Sequence, residues 1–293
     1  MSGLKEIRTR IASIKTTRQV TSAMKMVSAA KLKKAQDAIL KIRPYADKMH
    51  QIIVGLSNDI NGNKDSVFTF PREPEKILII LISSNRGLCG GFNLNIAKQA
   101  VERVRVKYGM QHQLGDVDFL SIGKMGERQL KHRNMKVVRT CNDLLDNLNC
   151  DNAYSLANEI MQDFSNQKYD RVELIYNQFK NAAVQMNVTE QFLPVKMEDE
   201  KESGIYFDFI YEPSKKFIVE EIIPRSLRMQ FYKALLDSNA AEQGARMTAM
   251  HQATDNATEL IKELMLQYNK VRQTTITNEI IEIVSGAEAL NTV

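Results

Sequence analysis

LKKAQDAILKIRPYADKMHQIIVGL, residues 32–56, places an apolar or small residue at Leu32, Ala35, Ile39, Ile42, Ala46, Met49, Ile53 and Leu56, alternating steps of three and four. That spacing draws one stripe along a helix and marks a helix packed lengthwise on a partner helix. Upstream, Leu4, Ile7, Ile11 and Ile14 keep the same steps. Between the two stretches Val20, Met24 and Val27 stand one position out of frame, which predicts a slip that loosens the supercoil. A helix over residues 3–57 follows, roughly 75 Å long at about 1.5 Å per residue. Pro44 falls inside it; because the stripe resumes in register beyond, a kink rather than a stop is expected.

The other end of the chain has the same period. Leu227, Phe231 and Leu235 open it, and Leu264, Tyr268, Val271 and Thr275 continue it. Ile276, Ile280, Ile283, Ala287 and Leu290 close it. Two terminal helices with matching stripes can cover one another, whereas each alone would leave apolar surface in water at about 25 cal/mol per Å². Between them the period changes. Residues 58–75, NDINGNKDSVFTFPREPE, read as a linker of turn formers. KILIILIS, residues 76–83, is a continuous apolar run of strand length, as in a strand buried on both faces. Strands are expected over 118–122, 137–140, 170–177 and 184–193, and helices over 93–107, 124–132 and 153–165. This alternation implies a mainly parallel sheet. The expected fold is α/β: a long antiparallel coiled coil of N- and C-terminal helices with an inserted Rossmann-like domain. Its divisions are 1–57 (N-terminal helix), 58–75 (linker), 76–210 (α/β domain) and 211–293 (C-terminal helix). Ile14 is expected near Ile276 or its neighbours across the helix pair.

Of the 293 residues 43% are hydrophobic and 7% aromatic, with no Trp, 13 Gly and 6 Pro, a composition suited to long uninterrupted elements. The net charge of +5 is uneven, since residues 1–50 hold twelve Lys/Arg and three acids. A positive helix of this kind calls for a partner with negative charge. The first 44 residues hold no aromatic to stack on bases, which disfavours nucleic acid. Cys89, Cys141 and Cys150 follow no metal-ligand spacing, and His50, His112, His132 and His251 are scattered. Reduced thiols, no metal, no cofactor and no catalytic constellation are expected. No apolar run is long enough to cross a bilayer, and the N-terminus, MSGLKEIRTRI, has no signal-peptide core. The loop SNRGLCGGFN, residues 84–93, sits between a strand and a helix, where phosphate loops occur. Its glycines lack the spacing of either phosphate-binding motif, so a tight turn needing positive φ, or a subunit contact, is the better reading.

Four segments resemble the gamma subunits of F-type ATP synthases: IRTRIASIKTTRQVTSAMKMVSAAKLKKAQ (7–36), SSNRGLCGGFN (83–93), YEPS (211–214) and YNKVRQTTITNEIIEIVSGAEAL (268–290). The resemblance implies a rotor shaft with no active site of its own. The paired termini would turn inside a ring of alpha and beta subunits, and the α/β domain would sit with epsilon on the membrane c ring. Proton flow through that ring would drive ATP synthesis at the beta subunits. It also implies roles for particular residues. Met24 and Lys25 would pass the acidic lever loop of beta; Arg272, Gln273, Thr277 and Glu279 would grip beta higher up; Phe209, Tyr211 and Glu212 would meet epsilon and the c ring. The small, apolar C-terminal tip would suit a bearing. The implied location is peripheral, on the cytoplasmic face of a bacterial plasma membrane. The redox insert of chloroplast relatives has no counterpart between Val195 and Pro224, so no thiol switch is expected. One departure stands out: the family usually has Asp where this chain has Asn85.

Overall fold

The computed structural model describes residues 2–60, 67–70, 72–182, 184–195 and 215–291. The chain forms two compact units, Ser28–Arg246 and a second made of Met1–Val27 with Met247–Val293. Helices α1 (Ser2–Ile60) and α6 (Lys215–Asn291) contribute to both. α1 runs three residues beyond the expected end of the N-terminal helix, and Pro44 lies within it. Likewise Pro224 lies within α6.

The larger unit holds a sheet in the order β3-β2-β1-β4-β5. β1 (Ile77–Ile82) is central, parallel to both β2 (Val117–Ile122) and β4 (Arg171–Phe179). β3 (Val137–Thr140) is parallel to β2, and β5 (Gln185–Leu193) pairs antiparallel with β4. All six residues of β1 are buried, as its unbroken apolar run requires when helices cover both faces. Ile77, Ile79 and Leu81 join Ile96, Ala100 and Val104 of α2 (Phe92–Lys107) and Leu130 of α4 (Lys124–His132) in one core. The chain then crosses back from β3 to β4 through α5 (Cys150–Ser165), which the right-handed crossover rule puts on the opposite face. There α5 buries Ala153, Ala157, Ile160 and Phe164. From α6, Phe231 meets Phe192 of β5 at a tilt of 50°, with ring centroids 5.9 Å apart. The sequence pattern missed α3 (Gly109–Leu114), a short helix stopped by Gly115 at φ 84°.

In the smaller unit Thr21 Oγ1 of α1 lies 2.8 Å from Thr254 Oγ1 of α6. With the helices antiparallel, Val27 falls opposite residue 248, which matches where the unit ends on both segments. Met250, Ala257, Ile261 and Leu264 are the buried residues of α6 here, spaced by seven, four and three. This register corrects two expectations. Ile14 falls opposite Ile261, not Ile276, because seven residues back along α1 is seven residues forward along α6. Nor does the stripe of α1 slip. Val20 and Val27 are 52% and 56% exposed, while Thr21 and Ser28 are buried and Arg18 and Lys25 half-buried. The buried positions therefore run 21, 28, 32 on one face, while Val20, Met26 and Val27 are exposed and Met24, like Lys25, is half-buried.

Candidate functional site

Within the larger unit, the loop after β1 is held by its own side chains. Asn93 Oδ1 accepts from the Ser84 amide (3.0 Å), and its Nδ2 donates to Ser84 Oγ (2.8 Å) and Cys89 Sγ (3.1 Å). Leu88 and Gly90 take positive φ of 63° and 58°, so the tight turn expected from the glycines is present. Cys89 is buried, and burial pushes its thiol pKa up against the lowering pull of Ser84, leaving an inert thiol. Asn85 bridges two neighbours: its Nδ2 donates to the Asn142 carbonyl (2.8 Å), and its Oδ1 accepts from the Lys124 amide (3.2 Å). The family's usual Asp could not make the first of these bonds.

α6 closes over this loop. Arg246 Nη2 donates to the carbonyls of Arg86 (3.1 Å) and Gly87 (3.3 Å), while its Nη1 holds Glu242 at 2.7 Å. Burial nonetheless raises the Glu242 pKa, with Arg246 opposing. A Cβ on Gly244 would lie 3.2 Å from the Ala182 carbonyl oxygen, so the helix approaches the β4–β5 turn closely. Doubly wound sheets take their ligands in the crevice beyond the carboxyl ends of strands such as β1 and β4. Here residues 242–246 of the chain's own helix occupy that place, and the loop turns carbonyls, not amides, toward a guanidinium. Sequence reading missed this clamp, whose only linear trace is an acid and an arginine four apart, Glu242 and Arg246.

A second polar cluster fastens β4 to α2. The fully buried Glu173 carboxylate accepts from Arg103 Nε (2.8 Å) and Nη2 (2.9 Å), Lys107 Nζ (2.9 Å) and the Tyr108 hydroxyl (2.5 Å). Burial alone would raise its pKa; the bonds from Arg103, Tyr108 and Lys107 prevail and hold it at about 2.

Of the residues singled out in the sequence, Met24 and Lys25 are half-buried on α1, beside the exposed Val20, Met26 and Val27. Arg272, Gln273, Thr277 and Glu279 share one exposed stretch of α6. The Thr277 hydroxyl donates to the Gln273 carbonyl at 3.0 Å, so that hydroxyl is partly committed to its own helix. Lys25, Arg272 and Glu279 form no ion pair among the described residues. Phe209, Tyr211 and Glu212 lie outside the described residues. The register places Ser2 opposite residue 273, so α6 continues past the start of α1. Beyond that point Ile276, Ile280, Ile281, Ile283 and Val284 are 43–71% exposed. An uncovered apolar stretch of this length signals an interaction surface.

A family model described as ATP synthase matches residues 3–290. The ATP synthase gamma chain of Flavobacterium johnsoniae is 52% identical over 99% of this chain and 100% of its own length. That of Cytophaga hutchinsonii is 49% identical over 99% and 100%. The chain belongs to the ATP synthase gamma chain family. Among solved structures, the fold recurs in a chain from the central stalk and c ring of Tetrahymena thermophila mitochondrial ATP synthase. It is 25% identical with a TM-score of 0.58, over 80% of this chain and 99% of that one. A chain of Euglena gracilis mitochondrial ATP synthase (OSCP, F1 and c ring) shares the fold at 21% identity and a TM-score of 0.71, covering 99% and 95%. No helix among the described residues is long and apolar enough to cross a membrane.

Proposed function

We propose that this gamma chain is the rotor shaft of an F-type ATP synthase. It passes the rotation of a membrane c ring to the beta subunits, and it carries no active site of its own. One observation supports this reading most: on an α6 that belongs to a gamma chain, Ile276, Ile280, Ile281, Ile283 and Val284 are left exposed by the described residues. A stretch of that kind needs an enclosing protein, and a ring of alpha and beta subunits would supply one. The shaft can drive chemistry in three equivalent neighbours only by touching each differently, since a conformational equilibrium shifts by no more than the difference in contact energy between its states. Two helices of unequal reach, one basic and one with a bare apolar end, present unlike faces in different directions.

In this reading Met24 and Lys25, with Val20 and Val27 beside them, meet the acidic lever of beta. Arg272, Gln273, Thr277 and Glu279 form the upper grip, where a guanidinium offers a carboxylate two parallel bonds that lysine could not. Phe209, Tyr211 and Glu212 belong to the contact with epsilon and the c ring. The assembly lies on the cytoplasmic face of a bacterial plasma membrane, with this chain peripheral to it. The test is Lys25→Glu in the reconstituted complex, measuring ATPase rate and ATP-driven ion pumping in vesicles together. Pumping per ATP is expected to fall. Unchanged pumping and ATPase rates would remove the lever contact from the proposal.

A further inference from the structure

A groove of about 510 Å³ opens in the larger unit between α1, α5 and α6, lined by Lys41, Ile42, Tyr45, Tyr154, Arg225, Arg228 and Met229. Three of its seven residues are cations, two are tyrosines and none is an acid. Among the described residues the acid nearest by contact is Glu221, 3.9 Å from Arg225 across one turn of α6. That is well beyond the roughly 2.7–2.9 Å of a charge-assisted hydrogen bond, so Arg225 keeps most of its donors. Lys41 has no ion pair among the described residues. Arg228 is pre-positioned: its Nε donates to the Pro224 carbonyl at 3.3 Å, and its guanidinium lies 5.9 Å from the centre of the Tyr154 ring. Tyr154 in turn meets Tyr232 edge-on, with centroids 6.1 Å apart. One cation of the wall, Arg228, is therefore braced, while Tyr45 stands 44% exposed.

These features point to the class of occupant. All seven residues come from inside helices, whose amides are spent on their own ladders, so no backbone nest or helix start is aimed at a phosphate. The groove is also open, whereas small ligands favour sites that enclose most of their surface. What remains is a patch with positive charge, aromatic faces and an apolar floor, which matches a polypeptide segment carrying carboxylates around an apolar side chain. We propose that this groove docks an acidic segment of a neighbouring polypeptide. Its carboxylates meet Lys41, Arg225 and Arg228, and its apolar side chain rests on Ile42 and Met229 between the two tyrosine rings. The proposal rests on the preceding one only in that the chain works inside an assembly.

The experiment places the photo-crosslinker p-benzoylphenylalanine at position 45 in the assembled ATP synthase and identifies the adducts by mass spectrometry. Co-assembly of the unsubstituted chain is read first from subunit composition, so a failure of the parent proposal is not mistaken for a failure of the groove. The expected adduct is with another subunit, through a peptide holding at least two Asp or Glu. Pairing the crosslinker with Arg225→Glu and Arg228→Glu should lower its yield by at least about fivefold, and the milder Arg225→Gln and Arg228→Gln should lower it less. No adduct, adducts only with lipid or with this chain itself, an attached peptide without acids, or a yield indifferent to both charge changes would each overturn the proposal.

Discussion

Replacing Glu173 with Gln tests the claim that a buried carboxylate, not apolar packing alone, locks α2 onto β4. The side chain is fully buried and accepts four hydrogen bonds from Arg103, Lys107 and Tyr108. Breaking a buried ion pair from one side costs about 3–5 kcal/mol. Arg103 and Lys107 are 35% and 34% exposed, so water can take back part of their charge, and the lower end of that range applies. The pKa gives a second route to the same size. Glu173 titrates at about 2 when folded, against an ordinary 4.5, a difference worth up to about 3 kcal/mol. Because the folded pKa is depressed, this stability is present above pH 4.5 and is lost as pH falls from there toward 2. Hydrogen exchange of β4 amides, corrected for intrinsic rates, reads the local opening energy. Glu173→Gln should cut protection at pH 7 roughly a hundredfold. The unsubstituted chain should lose protection between pH 5 and pH 3, and the variant should lose much less. Equal protection of the two chains at pH 7, or an unsubstituted chain indifferent to acid over that window, would refute the reasoning.

Thr21→Cys with Thr254→Cys should form a disulfide within one chain under mild oxidation, since the hydroxyl oxygens lie 2.8 Å apart; Ile14→Cys with Ile276→Cys should not, as a non-reducing mass measurement would show. Gly126→Ala should cost about 1–3 kcal/mol in thermal melts, because the added Cβ would lie 2.8 Å from Ser83 Cβ and collide with Ser83 Oγ. Ser83→Ala should relieve only part of that loss. Asn85→Asp, which restores the family's usual residue, should destabilise this chain by about 1 kcal/mol in the same melts through the lost bond to Asn142. An unchanged midpoint would show that bond to be idle.

The periods of this chain were legible without a structure because they follow from backbone geometry. A helix repeats its faces every three to four residues and a strand every two, so the stripe through Leu32, Ile39 and Met49 and the run Ile77–Ile82 declare their elements locally. The likeness of the termini to gamma subunits was legible in another way, through the residues of segments 7–36 and 268–290 and not through their period. Between residues 18 and 28 the logic inverted. There the buried side chains are Thr21 and Ser28, Arg18, Met24 and Lys25 are half-buried, and Val20, Met26 and Val27 face out. Hydropathy equates apolar with inward, and where Val20, Met26 and Val27 are exposed it selects the wrong stripe.

Tertiary structure alone decided the pairings that span the chain: Thr21 with Thr254, Glu173 with Arg103, and Arg246 with the carbonyls of Arg86 and Gly87. Each joins residues at least 70 positions apart. No local period encodes which partner a buried polar group will find; that is settled only when folding brings a donor to an acceptor that would otherwise be left unmatched away from water.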